Sequence, residues 1–567
     1  MNTEILGIIA MFTGTLLLAI PFGKYIAKVY GNQKTLLDPF FNPIEKFFFK
    51  VSGIDDSKEM NWKEQMIAML SINFVWFILG MIILMTQGSL PLNPDNNPSM
   101  SADLAFNTVI SFLVNCNLQH YSGETGLSYL GQLWLMFLQF VSAGTGMAAA
   151  VILFRAFRNK NAQTLGNFYT HFIKSCTRIL LPVSLVIAVV LLMEGTPMTF
   201  EGKADMVTLE GDSVQVSRGP VAAFVPIKHV GTNGGGFFGA NSAHPFENPS
   251  YLSNMAEMFA QLIIPFAMIF AFGFFINRRK FSWMIFGVMT VGFLLLAIPN
   301  IVTEMNGNPA IAKMGIDNSL GAMEGKEVRF GAGASGFWSI VTTVISTGSV
   351  NAMHDSTMPL SGMNEMLAMM INAFYGGVGV GLLNFFIFII LAVFISGLMV
   401  GRTPEFLGKK IEAREVKIAM IVALLHPFLI LVGTALSAYL YVGNTETYSG
   451  WLSNPAYHGF SQMLYEYTSS AANNGSGFEG LGDNTPWWNI STGIVLLLGR
   501  FLPIIGPVAI AGLLASKNFI PEGNGTLKTD TITFGIMVFA VIAIVAALSF
   551  FPALALGPIA EYFSMIK

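Results

Sequence analysis

The sequence predicts an all-α polytopic membrane protein: about ten transmembrane helices, four helix–pore loop–helix repeats around one pseudo-fourfold pore, and an extra helix at each end. Three observations predict this class. Of the 567 residues, 53% are hydrophobic and only 11% are charged, whereas soluble domains carry about 25% charged residues. Apolar runs long enough to span a bilayer recur along the chain. A segment rich in Gly, Asn, Ser and Thr recurs four times between such runs.

The apolar runs predict ten spans, because roughly 20 apolar residues cross the hydrocarbon core as a helix and backbone groups in lipid must pair within their own segment. The predicted spans are 5–29, 62–87, 128–157, 172–195, 254–277, 281–304, 366–400, 416–442, 488–516 and 530–555. One membrane domain, 1–567, then contains an extra N-terminal helix at 5–29, pore repeats at 62–157, 172–277, 281–400 and 416–516, and an extra C-terminal helix at 530–555.

Composition and motifs exclude several classes of function. The net charge of −3 offers no basic tract for nucleic acid, and the two cysteines, Cys116 and Cys176, form no metal or disulfide motif. The chain has neither a Gly-x-x-x-x-Gly-Lys-Ser/Thr phosphate loop nor an Asp-Lys-Thr-Gly-Thr phosphorylation motif. We therefore expect no enzymatic activity from this chain alone, and any coupling to ATP must come from a partner.

The distribution of Lys and Arg predicts the orientation in the membrane. If the linker after the first helix is placed inside and the spans alternate, most of the 30 basic residues fall on the inner side. Cytoplasmic loops carry such an excess. The sequence therefore predicts a multi-pass protein of the cell membrane with both termini outside.

Each of the four repeats contains a short apolar stretch, then a polar hairpin, then a long apolar helix. Irregular backbone at membrane depth must be buried in protein or line water, and glycine permits dihedrals that turn carbonyls toward one axis. Carbonyl rings can replace the hydration shell of potassium, whereas calcium or magnesium would favour carboxylates. A single hairpin of this kind could be an exposed turn. The predicted filter residues are Asn115, Cys116, Asn117, Gln119, Thr232, Asn233, Gly234, Gly235, Ser346, Thr347, Gly348, Asn473, Asn474 and Gly475.

A carboxylate follows each hairpin: Glu124, Glu247, Asp355 and Glu479. Placed around an outer vestibule, these groups would raise the local concentration of cations. The alternative is that they are loop charges or helix caps.

The predicted gate lies below the hairpins. Gly376, Gly377, Gly379 and Gly381 interrupt the span predicted at 366–400, and clustered glycines weaken a helix interior. Arg500 lies inside the helix after the fourth hairpin, where a cation would repel a passing ion. The alternatives are close helix packing through small residues for the glycines, and snorkelling of the arginine to the inner interface.

Four long strings resemble the KdpA family, the potassium-binding, channel-like subunits of the bacterial Kdp potassium-transporting ATPase. They are NCNLQHYSGE (115–124), TNGGGFFGANSAHPFENP (232–249), STGSVNAMHDS (346–356) and SSAANNGSGFEG (469–480). The resemblance covers essentially the whole chain. This chain differs in detail, with Thr347 where we expect a cysteine in some relatives, and Gly239 before Ala240.

The resemblance implies the fold of the potassium-transporter superfamily and places Gln119, Gly234, Gly348 and Gly475 at the filter. It places Arg500 and the glycine break in the gating region. It also implies a bacterial cell-membrane complex with a P-type ATPase subunit, KdpB, and with KdpC and KdpF. Potassium would be the transported ligand, no other cofactor being implied, and would pass through a tunnel to the pump subunit.

Three alternatives remain. A stand-alone Trk- or Ktr-like potassium transporter shares the fourfold plan, but it would not need the tenth helix or a partner. A secondary transporter of an organic solute would use inverted repeats, whereas the four repeats here share one orientation. A membrane enzyme would need an acid–base or metal constellation, which the sequence does not offer.

Overall fold

The computed structural model describes residues 3–401, 403–521, 523 and 527–567, and most of them are helical. The chain begins with α1 (Thr3–Tyr30) and α2 (Asp38–Ser52). The first repeat contains α3 (Trp62–Thr86), α4 (Ala102–Leu113), α5 (Gly123–Gly126) and α6 (Tyr129–Arg158). The second contains α7 (Phe168–Ser175), a π-helical turn (Cys176–Leu180), α8 (Leu181–Glu194), the antiparallel strands β1 (Ala204–Val207) and β2 (Ser213–Val216), α9 (Val221–Val230) and α10 (Tyr251–Phe275).

The third repeat contains α11 (Arg279–Asn306), α12 (Pro309–Lys313), α13 (Ala332–Val344), α14 (Pro359–Ile371), α15 (Val380–Val400) and the short antiparallel strands β3 (Glu405–Phe406) and β4 (Lys409–Lys410). The fourth contains α16 (Ala413–Gly443), α17 (Tyr457–Ala472) and α18 (Pro486–Ala515). The chain closes with α19 (Ile532–Leu554), a π-helical turn (Ala555–Ile559) and α20 (Ala560–Ile566). Short 3-10 turns lie at Gln87–Ser89, Asn241–Ala243, His354–Ser356 and Ser449–Trp451.

Within the described residues, ten helical segments are long and apolar enough to cross a membrane, which confirms the prediction of about ten spans. The span predicted over 366–400 contains the interruption that its glycines predicted, and only Val380–Met399 of it is a long apolar helix. The span is divided into α14 and α15 by residues 372–379, which are not helical. The backbone there takes left-handed angles at Asn372, Tyr375, Gly376 and Gly379 (φ 46°, 60°, 64° and 77°), a conformation that a continuous helix cannot contain.

We call the short helix that precedes each hairpin a pore helix: these are α4, α9, α13 and α17. Contacts between neighbouring repeats join the pore helices into a closed ring. The helix that follows each hairpin packs against the pore helix of the next repeat: α6 against α9, α10 against α13, and α14 against α17. The last such helix, α18, returns to pack against the first pore helix, α4. All four hairpins therefore face one central region of the molecule.

The helices outside the four repeats pack around this ring. Helix α1 lies along α10 and also contacts α13, while α19 packs against α11, α14 and α15. Gly23 permits the close approach of α1, since a methyl group there would lie 2.6 Å from the carbonyl oxygen of Ala267. Close approach through small residues is a common way for membrane helices to associate.

Candidate functional site

Each pore helix ends in the same backbone geometry. A residue just beyond the helix takes a left-handed conformation. It is the second after the last helical residue at Asn115 (φ 64°), Thr232 (φ 50°) and Ser346 (φ 54°), and the first at Asn473 (φ 51°). The next backbone N–H then donates to a carbonyl five residues back, in the pairs Cys116–Ser111 (3.0 Å), Asn233–Lys228 (2.8 Å), Thr347–Thr342 (2.9 Å) and Asn474–Ser469 (2.9 Å). This is the hydrogen bond of a Schellman C-cap, and its fourfold recurrence puts the four hairpins in one register.

The four hairpins meet at Gly234. A methyl group on Gly234 would lie 2.7 Å from the carbonyl oxygen of Cys116, 2.9 Å from that of Thr347 and 3.0 Å from that of Asn474. These three residues occupy the same register position in the other three hairpins. The Gly234 N–H also donates to the Cys116 carbonyl (3.1 Å). Backbone oxygens from separate repeats therefore converge on a position where only a hydrogen fits.

For the first hairpin, this alignment points to a different filter residue than the family resemblance does. Counted from the left-handed residue, Asn117 aligns with Gly234, Gly348 and Gly475, and Gln119 lies two residues further on. The Gln119 side chain instead forms two hydrogen bonds with the second hairpin. It accepts from the N–H of Gly236 (2.8 Å) and donates to the carbonyl of the same residue (3.0 Å).

Other residues of the predicted filter form hydrogen bonds that fix the hairpins to one another and to the surrounding helices. Asn115 donates to the Thr232 carbonyl (2.9 Å), and Asn474 donates to the Thr342 carbonyl (2.8 Å). The Gly235 carbonyl accepts from the side chain of Gln139 (3.1 Å). Asn233 donates to the Gln139 carbonyl on α6, the helix that follows the first hairpin, and Asn473 donates to the Leu496 carbonyl on α18, the helix that follows its own hairpin. The oxygens that remain to face an ion are mainly those of the backbone, together with hydroxyl groups.

The predicted gate residues gather directly below this site. The N–H of Val378, in the break between α14 and α15, donates to the Thr232 hydroxyl (3.0 Å). Arg500 is buried and donates to the Ser142 carbonyl on α6 (3.4 Å). A methyl group on Gly146, also on α6, would lie 2.6 Å from the Val378 carbonyl and 3.1 Å from the Arg500 guanidinium. Among the described residues, no carboxylate lies within ion-pair distance of Arg500.

The structure contradicts the vestibule prediction for Glu247. Its side chain is completely buried and lies 2.6 Å from the ammonium of Lys228, whose side chain is buried to the same extent. A carboxylate that is neutralised and shielded in this way cannot concentrate cations from solution. Sequence reasoning missed this pair because 19 residues separate its members, and no helical or strand spacing joins them.

The other three predicted vestibule carboxylates also have partners. Glu124 accepts from the N–H of Gly239 (2.7 Å), and Glu479 accepts from the N–H of Asp355 (3.0 Å). Asp355 is paired with His458 (3.0 Å). These contacts join the segments after the hairpins to neighbouring repeats, which agrees with the alternative that they are structural loop charges.

An internal sequence repeat was also missed. Leu-Ser-x-Met-x-Glu-Met-x-Ala occurs at the start of α10 (252–260) and again at the start of α14 (360–368). The shared glutamates, Glu257 and Glu365, are both fully buried, and neither carboxylate accepts a hydrogen bond from a described residue. A comparison of the chain with itself would have found this signal, and it relates the second repeat to the third.

The fold and the four converging hairpins define a membrane protein with the architecture of four-repeat ion transporters. The structure is similar to that of the potassium transporter TrkH from Vibrio parahaemolyticus, with a TM-score of 0.51, 15% identity, and 87% of this chain and 96% of that chain covered. This likeness establishes the shared fold.

The sequence family is more specific. Residues 9–563 match the model of the KdpA family, described as the potassium-transporting ATPase A subunit. The chain is 71% identical to a protein of Flavobacterium psychrophilum and 62% identical to one of Phocaeicola vulgatus, each over 100% of both chains. It is 47% identical to a protein of Geobacillus kaustophilus over 98% of both. The chain therefore belongs to the KdpA family.

All three relatives are named potassium-transporting ATPase potassium-binding subunit. Those names describe the subunit that binds the ion and not the one that hydrolyses ATP. They confirm the prediction that this chain is not the catalytic subunit.

Proposed function

We propose that this chain selects potassium from outside the bacterial cell at the four-hairpin site and passes it to an ATP-hydrolysing P-type partner subunit. The observation that carries the proposal is the convergence of carbonyl oxygens from the first, third and fourth hairpins on Gly234 of the second. The names of the relatives give the ion and the kind of complex. In this family the partners would be KdpB, KdpC and KdpF, and both termini of the present chain would lie outside.

Selection rests on replacing the hydration shell of the ion. A dehydrated potassium ion at the level of Gly234 would contact the carbonyl oxygens at the shared register of Cys116, Asn233, Thr347 and Asn474. These oxygens are neutral, and such ligands favour a weakly hydrated monovalent ion over calcium or magnesium. The hydrogen bonds behind each hairpin keep the oxygens in place, so a smaller ion is held less well.

The break between α14 and α15 would act as the gate beneath the filter. Its backbone is anchored to the filter through the Val378 N–H and the Thr232 hydroxyl. The guanidinium of Arg500 is buried and would lie on the same path. With no carboxylate partner among the described residues, it would oppose direct passage of potassium into the cytosol, because the low surrounding dielectric leaves its charge poorly screened.

A lateral exit would start at the same break. A cavity bounded by α15, α16, α18 and α19 is lined by the polar side chains of Asn372, Asn384 and His426. Asn372 accepts from the Ser346 hydroxyl of the third hairpin (2.9 Å), and Asn384 donates to the Asn372 carbonyl (3.0 Å). These hydrogen bonds lead from the third hairpin into a cavity whose other lining residues are mainly apolar, such as Ile387, Val422 and Phe550. The three polar side chains at this point support transfer of the ion to a neighbouring subunit.

The alternative is a stand-alone transporter of the Trk or Ktr kind, which the shared fold favours. Expression of this chain without partner subunits separates the two proposals. Potassium uptake by the chain alone would support the stand-alone transporter, whereas uptake that requires a co-purifying ATPase subunit supports the ATPase complex.

The filter itself is tested by replacing Gly234. Serine at this position would press against the carbonyls of the other hairpins, so we expect the apparent Kd for potassium to rise about tenfold or more, with unchanged assembly. The measurement is potassium-stimulated ATPase activity and uptake of the whole complex. Unchanged potassium affinity in Gly234→Ser would refute the filter. Gly477→Ser serves as the control, because a methyl group on this glycine of the fourth hairpin would have its nearest neighbour, the Glu466 carboxylate, at 3.8 Å.

A further inference from the structure

A buried lysine lies directly behind the filter. Lys228 belongs to the pore helix α9, and its side chain is completely buried. The ammonium donates to the carboxylate of Glu247 (2.6 Å), to the hydroxyl of Ser242 (2.8 Å) and to the side-chain oxygen of Asn241 (2.8 Å). An ammonium has three N–H groups, so all of its donors are used.

This arrangement fixes the orientation of the Asn241 amide. Its oxygen accepts from Lys228, from the N–H of Ser242 (2.9 Å) and from the hydroxyl of Ser349 (3.2 Å). An ammonium can only donate, so the amide oxygen must point toward Lys228 and the amide nitrogen must point away. That nitrogen donates to the carbonyl oxygen of Gly234 at 2.6 Å.

We propose that Lys228 is a positioning residue for ion selectivity, acting through Asn241 on the Gly234 carbonyl. This inference rests on the proposed filter function. Glycine offers little resistance to peptide rotation, so without the tether this carbonyl could follow a smaller ion inward. The hydrogen bond from a polarised amide holds the oxygen back and also draws electron density from it. Both effects disfavour sodium, which needs closer and stronger oxygen ligands than potassium.

Glu247 has a separate part in the arrangement. It neutralises Lys228, because an unpaired buried charge would cost several kcal/mol. It also accepts from the N–H of Phe238 (2.9 Å), which fixes the end of the second hairpin. Because the two charges cancel, the Lys228 ammonium lies behind the filter without adding net charge there.

The chain contains a matched control for this pair. Lys326 and Glu304 are also completely buried, with their charged atoms 2.8 Å apart. Their further hydrogen bonds run to outer loops, from Lys326 to the Glu324 carbonyl (3.3 Å) and from the Met358 N–H to Glu304 (3.0 Å). Removing this pair imposes the same loss of buried charge without releasing a filter carbonyl.

The test compares charge-free double variants of the two pairs in the intact ATPase complex reconstituted in liposomes. The variants are Lys228→Met with Glu247→Gln, and Lys326→Met with Glu304→Gln. The readout is the ratio of apparent KM for sodium to that for potassium, with thermal unfolding measured in parallel. We expect the first variant to lower the ratio about tenfold, the scale of one charge-assisted hydrogen bond, and the second to lose stability with an unchanged ratio.

Asn241→Leu is an independent test of the inference, because it removes the hydrogen-bond donor to the Gly234 carbonyl while Lys228 and Glu247 keep their charges. It should lower the same ratio, even if the double variant fails to fold. An unchanged ratio in folded Asn241→Leu, or an equal change in both double variants, would overturn the inference. Gly234→Ser is included as the filter control. If it alters potassium affinity while the Lys228 and Asn241 variants do not, only this inference fails; if it too has no effect, the proposed function fails.

Discussion

Two neighbouring glycines in the break between α14 and α15 differ in what a side chain would meet. Gly379 has φ 77°, and a methyl group there would collide with the Gly146 carbonyl on α6. Gly377 has an ordinary backbone conformation, and a methyl group would have its nearest neighbours at 3.7 Å. The positive φ alone would cost an alanine about 1 kcal/mol.

We therefore expect Gly379→Ala to displace the gate and Gly377→Ala to leave it intact. In the whole complex, Gly379→Ala should raise the potassium leak measured without ATP, or reduce uptake, by several-fold. Rubidium flux through proteoliposomes measures both quantities. Equal behaviour of the two variants would show that this break does not control ion passage.

The four left-handed residues that follow the pore helices show how far residue type predicts backbone conformation. Asn115 and Asn473 suit a left-handed backbone, whereas Thr232 is β-branched and strained there. The common geometry therefore could not be predicted from residue type. It depends on the C-cap hydrogen bonds and on the neighbouring hairpins, which hold Thr232 in place. The recurrence of Gly and Asn was sufficient to locate the hairpins, but not to set their register.

At the scale of helices, His458 joins three elements on the predicted outer side. It begins α17, and its ring nitrogens lie 3.0 Å from Asp355, after the third hairpin, and 2.8 Å from Glu561 on α20. Burial acts to lower the pKa of His458, but the hydrogen bonds to the two carboxylates outweigh it and raise the pKa to about 10. The imidazolium therefore persists at neutral pH and connects the C-terminal helix to the pore region.

This contact should make stability depend on pH. A raised pKa stabilises the folded protein fully below about pH 6.5, the pKa in the unfolded chain, and the contribution is lost as pH rises through about 10. We expect His458→Gln to lower the unfolding temperature at pH 7, with the difference from the wild type shrinking toward pH 10. Thermal unfolding of the purified protein measures this.

His244→Gln is the control for that experiment. Burial lowers the pKa of His244, so its ring is neutral between pH 7 and 10 and its replacement should give a pH-independent difference. A His458→Gln difference that stays constant over this range would contradict the charged contact.

The sequence predicted the long helices well, because apolar length alone specifies a span. Over 366–400 the apolar length alone would give one helix, and the glycine run at 376–381 was needed to locate the break within it. The pore helix α17 is rich in polar residues such as Gln462, Glu466 and Ser469, all of them buried. The prediction that a short apolar stretch precedes every hairpin is therefore wrong for the fourth repeat, whose pore helix is stabilised by tertiary contacts.

For the whole molecule, the account depends on the ring closed by α18 against α4. The sequence predicted this ring from four similar hairpins in one orientation. It could not place the buried Lys228–Glu247 pair, whose members are 19 residues apart within the second repeat, or the contact of Arg500 with α6, which arises where separate repeats come together. Residue types therefore indicated a site built from four polar hairpins, whereas the contacts of its buried charged groups form only in the folded protein.

The most direct test is the location of a bound ion. Thallium(I) resembles potassium in size and scatters X-rays anomalously, so anomalous diffraction from crystals of the complex in thallium salt would reveal the site. We predict density between the four hairpins, at the level of the carbonyls of Cys116, Thr347 and Asn474. Thallium bound elsewhere, with that central position unoccupied at saturating concentration, would contradict the account.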